Sequence, residues 1–175
     1  MATNHLHMRT IGLKTNESKD PKVVLVLSGA ANTGKSTALV AIGKALQDKS
    51  HYYYEERNRR CSRDRKIAVK YGRWLVGIAT AGDAEKCVKS GLDFIKKQRC
   101  DIAILAARTS NNPKKDMMAF CRKCVSGKRK RFASVEKIDA PTPYLRAEAV
   151  NAFVKKVLYA LDTNKYDEVA PRYEA

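Results

Sequence analysis

The chain has little acidic charge for the basic charge that it carries. Its 175 residues include 18 Asp and Glu against 35 Lys and Arg, which gives a formal net charge of +17 at pH 7. Such an excess favours contact with polyanions, either DNA or RNA or a phosphate-rich substrate site. A basic surface that serves no particular partner is the alternative.

Long hydrophobic runs are also missing. No apolar stretch approaches the ~20 residues that a membrane-spanning helix needs, so no membrane association is expected. Residues 1–20 contain no apolar segment of signal-peptide length, and we expect them to form a flexible leader rather than a secretion signal. These absences favour a cytoplasmic protein.

Cysteine and histidine are too few, and too irregularly spaced, to suggest a disulfide framework or a metal centre. The odd number of cysteines favours reduced thiols. Cys121 and Cys124 share a helical face, but no second pair or histidine follows at the spacing of a zinc site. No Ser/His/Asp or Cys/His nucleophilic set is evident either. The five cysteines are Cys61, Cys87, Cys100, Cys121 and Cys124.

The strongest motif lies near the start of the chain. Residues 23–27 form an apolar run typical of a buried strand, and the next residues fit the phosphate-binding pattern G-x-x-x-x-G-K-[ST]. Leu39, Ile42 and Leu46 then recur at helical spacing. The expected ligand-binding residues are Gly29, Ala30, Ala31, Asn32, Thr33, Gly34, Lys35, Ser36 and Thr37. A glycine turn with an incidental lysine is the less specific interpretation.

The chemistry of a triphosphate explains these residue types. Gly29 and Gly34 allow backbone conformations in which successive N–H groups face the phosphates. The start of the following helix adds unpaired amides. We expect Lys35 to contact the β- and γ-phosphates, and Ser36 to bind Mg²⁺. ATP with Mg²⁺ is the expected ligand.

Apolar strands and amphipathic helices alternate along the rest of the chain. This alternation predicts one α/β domain over residues 21–162, followed by a polar tail at 163–175. We expect three layers: a mostly parallel sheet with helices on both faces and an inserted β-hairpin. The further predicted elements are a strand near 52–56, a hairpin over 66–79, helices over 84–98 and from 112, strands over 102–107 and 132–138, and a helix over 144–161.

The motif and this order of elements resemble the P-loop NTPases, and in size the small P-loop kinases of nucleosides and nucleotides. The resemblance is specific over residues 22–47 and architectural elsewhere. It implies a Mg-ATP site along the loop and an acceptor site opposite it.

Three sets of residues outside the loop are candidates for the remaining chemistry. Asp83 follows an apolar strand and is the first candidate to support the metal, although it could also cap the helix after it. Glu55 or Glu56 could accept the proton of an acceptor hydroxyl, or could simply pair with nearby arginines. Arg108 ends a strand that lacks an acidic residue, and could contact phosphate or lie on the surface.

Two basic segments could bind DNA or RNA. Residues 57–65 contain five arginines, which predicts an exposed loop, a lid over the phosphates or a nucleic-acid contact. Residues 128–131 form a second basic block. Tyr52, Tyr53 and Tyr54 precede the first segment and could stack on bases.

Two functions follow as hypotheses. The first is a Mg-ATP-dependent phosphotransferase that acts on a nucleoside, a nucleotide or a nucleic-acid end. The second is an ATP-dependent switch or weak ATPase that controls binding to nucleic acid or to a partner protein. A positioned acceptor base, Glu55 or Glu56, would separate the first from the second.

Overall fold

The computed structural model describes residues 20–58, 61–110, 117–125, 131–135 and 143–165. Strands and helices alternate through most of this part of the chain. The strands are β1 Val23–Gly29, β2 Tyr53–Asn58, β3 Cys61–Tyr71, β4 Trp74–Ala79, β5 Ile102–Arg108 and β6 Arg131–Val135. The helices are α1 Lys35–Gln47, α2 Glu85–Lys97, α3 Met117–Val125 and α4 Pro143–Thr163.

The strands form one mixed sheet in the order β2-β3-β4-β5-β1-β6. β1 lies between β5 and β6 and is parallel to both, and β5 is parallel to β4. β3 runs in the opposite direction and pairs antiparallel with both β2 and β4. The carboxyl ends of β1, β4 and β5 therefore meet at one edge of the sheet.

The protein is α/β, but the prediction of a mostly parallel sheet is wrong. The β2, β3 and β4 strands form an antiparallel meander that makes up half of the sheet, so the hairpin is not an insertion. Its second arm, β4, is a central strand beside β5. Short connections explain the direction of these strands, since a parallel pair needs a crossover of a dozen or more residues. Only Gly72 and Arg73 join β3 to β4, and residues 59–60 join β2 to β3.

Helices pack on both faces of the sheet because β1 presents alternate residues to each face. Leu25 and Leu27 belong to a core with α1 and α4. Val24 and Val26 belong to a second core with α2 and α3. The Tyr71 hydroxyl donates a 2.7 Å hydrogen bond to the Asp162 carboxylate and links β3 to α4.

Several boundaries agree with the sequence patterns, and others lie outside the described residues. The predicted helix over 84–98 corresponds to α2, and the strand over 102–107 to β5. The predicted helix start at 112–113, the leader up to residue 19 and the tail from 166 are not among the described residues. Within the described part, no helix is both long and apolar enough to cross a membrane.

Candidate functional site

The loop between β1 and α1 has the backbone shape that the motif predicts at its second glycine. Gly34 has φ 88° and Asn32 has φ 61°, so both are left-handed. Glycine adopts this conformation without a steric penalty, and asparagine tolerates it better than most residues. Gly34 is also the N-cap residue of α1, and no side chain makes a capping hydrogen bond there. The first amides of α1 are therefore available to an anion.

Gly29 is required for space rather than for a left-handed backbone. Its φ is not positive, in contrast to the conformation expected from the motif. A Cβ at this position would lie 2.8 Å from the Thr33 hydroxyl oxygen, closer than real Cβ atoms approach. That hydroxyl donates a 3.0 Å hydrogen bond to the Ala30 carbonyl and holds the turn of the loop.

Lys35 lies folded against the loop that precedes it. The residue is 7% exposed, and its Nζ donates to the carbonyls of Gly29 at 3.0 Å and Ala30 at 2.6 Å. Burial lowers the pKa of Lys35, the Asp83 carboxylate opposes this shift, and the Arg108 cation adds to it. A buried ammonium that donates to uncharged carbonyl oxygens would gain from an anionic ligand.

Ser36 connects the loop to the end of β4. Its hydroxyl donates a 3.2 Å hydrogen bond to the carbonyl of Thr80, the residue that follows β4. Because the proton is used in this bond, the oxygen lone pairs stay available to a hard cation. The arrangement therefore fits the predicted Mg²⁺ role of Ser36.

Asp83 lies close enough to Lys35 to affect its titration, and its side chain is exposed. The alternative role as a helix cap is wrong. The N-cap residue of α2 is Ala84, with extended backbone and no side-chain capping bond. The Asp83 carboxylate is therefore not used by α2 and is accessible from solvent beside the loop.

Backbone hydrogen bonds join the three strand ends that carry these residues. The Arg108 amide donates to the Gly82 carbonyl at 2.9 Å, and the Thr109 amide donates to the Gly29 carbonyl at 3.0 Å. The loop, the β4–α2 connection and the end of β5 therefore form one fixed surface. Lys35 lies near Asp83 and Arg108 there, since the charges of both affect the pKa of Lys35.

Glu55 and Glu56 are not brought to the loop. They lie in the middle of β2, four strands away from β1, which is roughly 19 Å at the usual spacing of strands. Both oxygens of Glu55 are used: Tyr53 donates to one at 2.7 Å, and Arg57 donates to the other at 2.8 Å.

Burial opposes ionisation of Glu55, but the hydrogen bonds from Tyr53 and Arg57 and the charges of Arg57 and Arg65 outweigh it and lower the pKa of the carboxyl. Glu56 accepts a 3.1 Å hydrogen bond from Tyr54 and lies 3.9 Å from the Lys66 ammonium. The lowered pKa makes the Glu55 carboxylate a poor proton acceptor, and both carboxylates are engaged by neighbouring side chains. Neither glutamate fits the role of acceptor base.

The described residues of the first basic segment lie in strands. Residues 57–58 end β2 and residues 61–65 begin β3, so the predicted loop or lid is wrong over the described part of this segment. Of its arginines, Arg57 has a side chain that is 68% exposed and Arg65 one that is 23% exposed, so both guanidinium groups keep some contact with solvent. In the second segment, residues 128–130 lie outside the described residues, and Arg131 begins β6.

Thr80 and Gly82 lie at the end of β4 beside the loop, although no role was predicted for them, and Thr80 pairs with Arg65 of the first basic segment. Thr80 is 1% exposed and its hydroxyl accepts the Arg65 amide at 2.8 Å. A Cβ at Gly82 would lie 2.1 Å from the Ala106 carbonyl oxygen, so only glycine permits this approach of backbones. The small size of the residues between β4 and Asp83 was the sequence signal that could have indicated this close approach of backbones.

The described residues contain no group of three or more His, Cys, Asp or Glu side chains placed to hold a metal ion. Magnesium that arrives with a nucleotide needs only one or two protein ligands, because phosphate and water supply the others. Ser36 and Asp83 are compatible with that smaller requirement. Cys121 and Cys124 lie at the second core, against α2.

Comparisons with known proteins give no family for this chain. No protein-family model matches it, and no curated protein matches its sequence. A solved structure described as "Crystal structure of APE1195" is similar at 13% sequence identity and a TM-score of 0.39, over 90% of this chain and 82% of that one.

Proposed function

We propose that this protein binds a Mg-nucleoside triphosphate, with ATP as the expected nucleotide, and transfers its terminal phosphoryl group to a nucleoside, a nucleotide or a nucleic-acid end. The observation that carries the proposal is the loop from Gly29 to Ser36. It has a left-handed Gly34 and an uncapped helix start, and its buried lysine lies beside Asp83 and Arg108. These are the parts that phosphoryl transfer requires for binding and for charge neutralisation.

The roles of the residues follow from their positions. The amides at the start of α1 and the Lys35 ammonium would hold the phosphates. Ser36 and Asp83 would hold Mg²⁺, which when bound neutralises phosphate charge and orients the terminal phosphoryl group. Arg108 would add positive charge on the β5 side. In the triphosphate-bound protein, Lys35 would exchange the Gly29 and Ala30 carbonyls for phosphate oxygens.

Substitution of the loop lysine tests the proposal. Lys35→Ala should weaken binding of ATP with Mg²⁺ by at least tenfold and abolish turnover, because an uncompensated phosphate charge remains in the loop. Lys44→Ala is the matched control, since Lys44 is an exposed lysine in the last turn of the same helix. Binding is measured by calorimetry, and turnover by phosphate transfer to nucleosides, nucleotides and 5′-hydroxyl oligonucleotides alongside free phosphate release.

Equal binding by the parent and by Lys35→Ala, with activity retained, would reject the phosphate-loop interpretation. Release of free phosphate without transfer to any acceptor would favour the second function, an ATP-dependent switch or weak ATPase. One observation supports that alternative: Glu55 and Glu56 are both engaged with neighbouring side chains on β2 and β3, so neither offers an acceptor base.

A further inference from the structure

The start of β3 carries a cation that the loop motif does not include. Arg65 lies in register with Arg57 on β2, and its backbone pairs with Thr80. Thr80 donates its amide to the Arg65 carbonyl at 3.0 Å and accepts the Arg65 amide on its hydroxyl at 2.8 Å. Since Thr80 also accepts the Ser36 hydroxyl, one buried residue joins Arg65 to the candidate Mg²⁺ ligand.

The Arg65 side chain lies on the face of the sheet that α1 covers. Ile67, two residues further along β3, belongs to the core beneath α1, and side chains two apart share a face. A Cβ at Gly43 of α1 would lie 2.6 Å from the Cδ1 of Ile67, so α1 packs directly over β3. From this contact towards its N-terminus, α1 runs to Lys35. Over the same direction β3 runs to Arg65, so both residues lie towards the same edge of the sheet.

The charges around Arg65 are not balanced. Its Nη1 lies 3.4 Å from Glu55 Oε1, the same oxygen to which Arg57 donates at 2.8 Å. Two guanidinium groups therefore share one carboxylate, whose other oxygen is used by Tyr53. The Arg65 side chain is 23% exposed, and its Nε is buried without a hydrogen-bond partner among the described residues.

A surplus positive charge and an unused buried donor indicate that an anion completes this arrangement. Guanidinium presents its N–H groups in a planar fork that matches two oxygens of a phosphoryl group. The contact with Glu55 on the neighbouring strand limits the orientations of that fork, and the pairing with Thr80 fixes the Arg65 backbone. An arginine held in this way has lost much of its conformational freedom before the ligand binds.

We infer that Arg65 binds a phosphoryl group at the β3 end of the sheet edge that carries the loop, and that Glu55 is its positioning residue rather than a proton acceptor. The phosphoryl group belongs either to the end of the nucleotide or to the acceptor. This inference rests on the proposed triphosphate site and extends it to β3, a strand that the loop motif does not reach.

Calorimetry with three probes tests the inference on the full chain: a β,γ-imido ATP analogue with Mg²⁺, ADP with Mg²⁺, and inorganic phosphate added to the Mg-ADP complex. Arg65→Gln should weaken binding of the ATP analogue at least tenfold and of ADP less than threefold if Arg65 binds the terminal phosphate. If it binds the acceptor phosphate, the affinities for the ATP analogue and for ADP both stay within threefold of the parent, and binding of inorganic phosphate is lost. An equal loss of affinity for all three probes would indicate a purely structural role and would overturn the inference.

Arg73→Gln is the matched control, because Arg73 lies at the opposite end of β3, against the Trp74 ring. It should bind every probe within twofold of the parent. Glu55→Gln should reproduce the selective loss of Arg65→Gln to a smaller extent, since the guanidinium remains but is less well oriented. If Arg65→Gln does not fold, Arg65→Lys replaces it, and should still lose at least threefold because lysine lacks the planar fork.

Unchanged affinity for all three probes in a folded Arg65 variant overturns the inference and leaves the triphosphate site intact. Failure of the unsubstituted protein to bind the ATP analogue overturns the proposed function as well. The two failures are therefore distinguishable from the first titration onward.

Discussion

The carboxylate of Asp83 is held beside the loop by the backbone and not by a role in the following helix. Its side chain is exposed and does not cap α2. Asp83→Asn should therefore change the free energy of unfolding by no more than about 0.5 kcal/mol. If the carboxylate serves Mg²⁺, turnover should fall by a factor on the order of a hundred or more. Thermal or urea unfolding and Mg²⁺-dependent turnover measure the two effects separately.

Asp93→Asn provides the control for this change. Asp93 is an exposed carboxylate on α2, away from the loop, and its substitution alters the net charge equally. Turnover should be unaffected. Equal turnover in the Asp83 variant and in the parent, across a range of Mg²⁺ concentrations, would remove Asp83 from the site.

Local residues of the site could be predicted from the sequence, and distant ones could not. Lys35 and Ser36 follow from a pattern of eight consecutive residues whose chemistry is contained in the loop. Thr80 contacts Ser36, which is 44 positions away in the chain. Arg65 contacts Thr80, which is 15 positions away. The hairpin predicted over 66–79 stops one residue short of both Arg65 and Thr80, and no local spacing places Thr80 beside Ser36.

At the scale of elements, the site depends on the close approach of the β4–α2 connection to β5. The Gly82 backbone leaves no room for a side chain against Ala106. Gly82→Ala should displace one of the two backbones, destabilise the fold by roughly 1–3 kcal/mol, and weaken triphosphate binding by moving Asp83. Urea unfolding and calorimetry on the same variant measure both effects.

Gly43→Ala is the control for the loss of a glycine. A Cβ there would meet only the end of the Ile67 side chain, which can rotate, and alanine is favoured over glycine within a helix by roughly 1 kcal/mol. We expect a change in stability close to zero and unchanged nucleotide binding. Equal stability of the Gly82 variant and the parent would show that the connection is more adaptable than this packing implies.

The sheet shows why elements were easier to predict than their arrangement. β1, α1, α2 and β5 have strong periodicity or long apolar runs, and their predicted bounds agree with the structure within a few residues. β3 was missed over its first half, because five arginines within residues 57–65 indicated a loop. Charged residues are tolerated in a strand where their stems cover the rim of the core. The length of β3, and with it the extent of antiparallel pairing in the sheet, was therefore underestimated.

The whole molecule carries a net charge of +17, and the candidate site accounts for only part of it. Lys35, Arg65 and Arg108 lie at or near the loop edge. Other lysines are exposed on α2, at positions 86, 89 and 97, where no ligand is implied. Either this excess of positive charge binds a polyanion, or it forms a basic surface that has no particular partner.

Binding to a short oligonucleotide as a function of salt distinguishes these cases. If nucleic acid is a partner, the logarithm of the affinity should fall linearly with the logarithm of salt concentration, with a slope of about −0.7 for each phosphate contacted in a single strand. Replacing Lys128, Arg129, Lys130 and Arg131 with glutamine should make that slope shallower by as much as roughly 3 units. A second variant removes three charges from α2, at Lys86, Lys89 and Lys97. Its salt dependence shows whether α2 or the segment 128–131 contacts the oligonucleotide. A slope that changes only with the α2 set would move the contact to that helix, and absence of binding at low salt would reject a nucleic-acid partner.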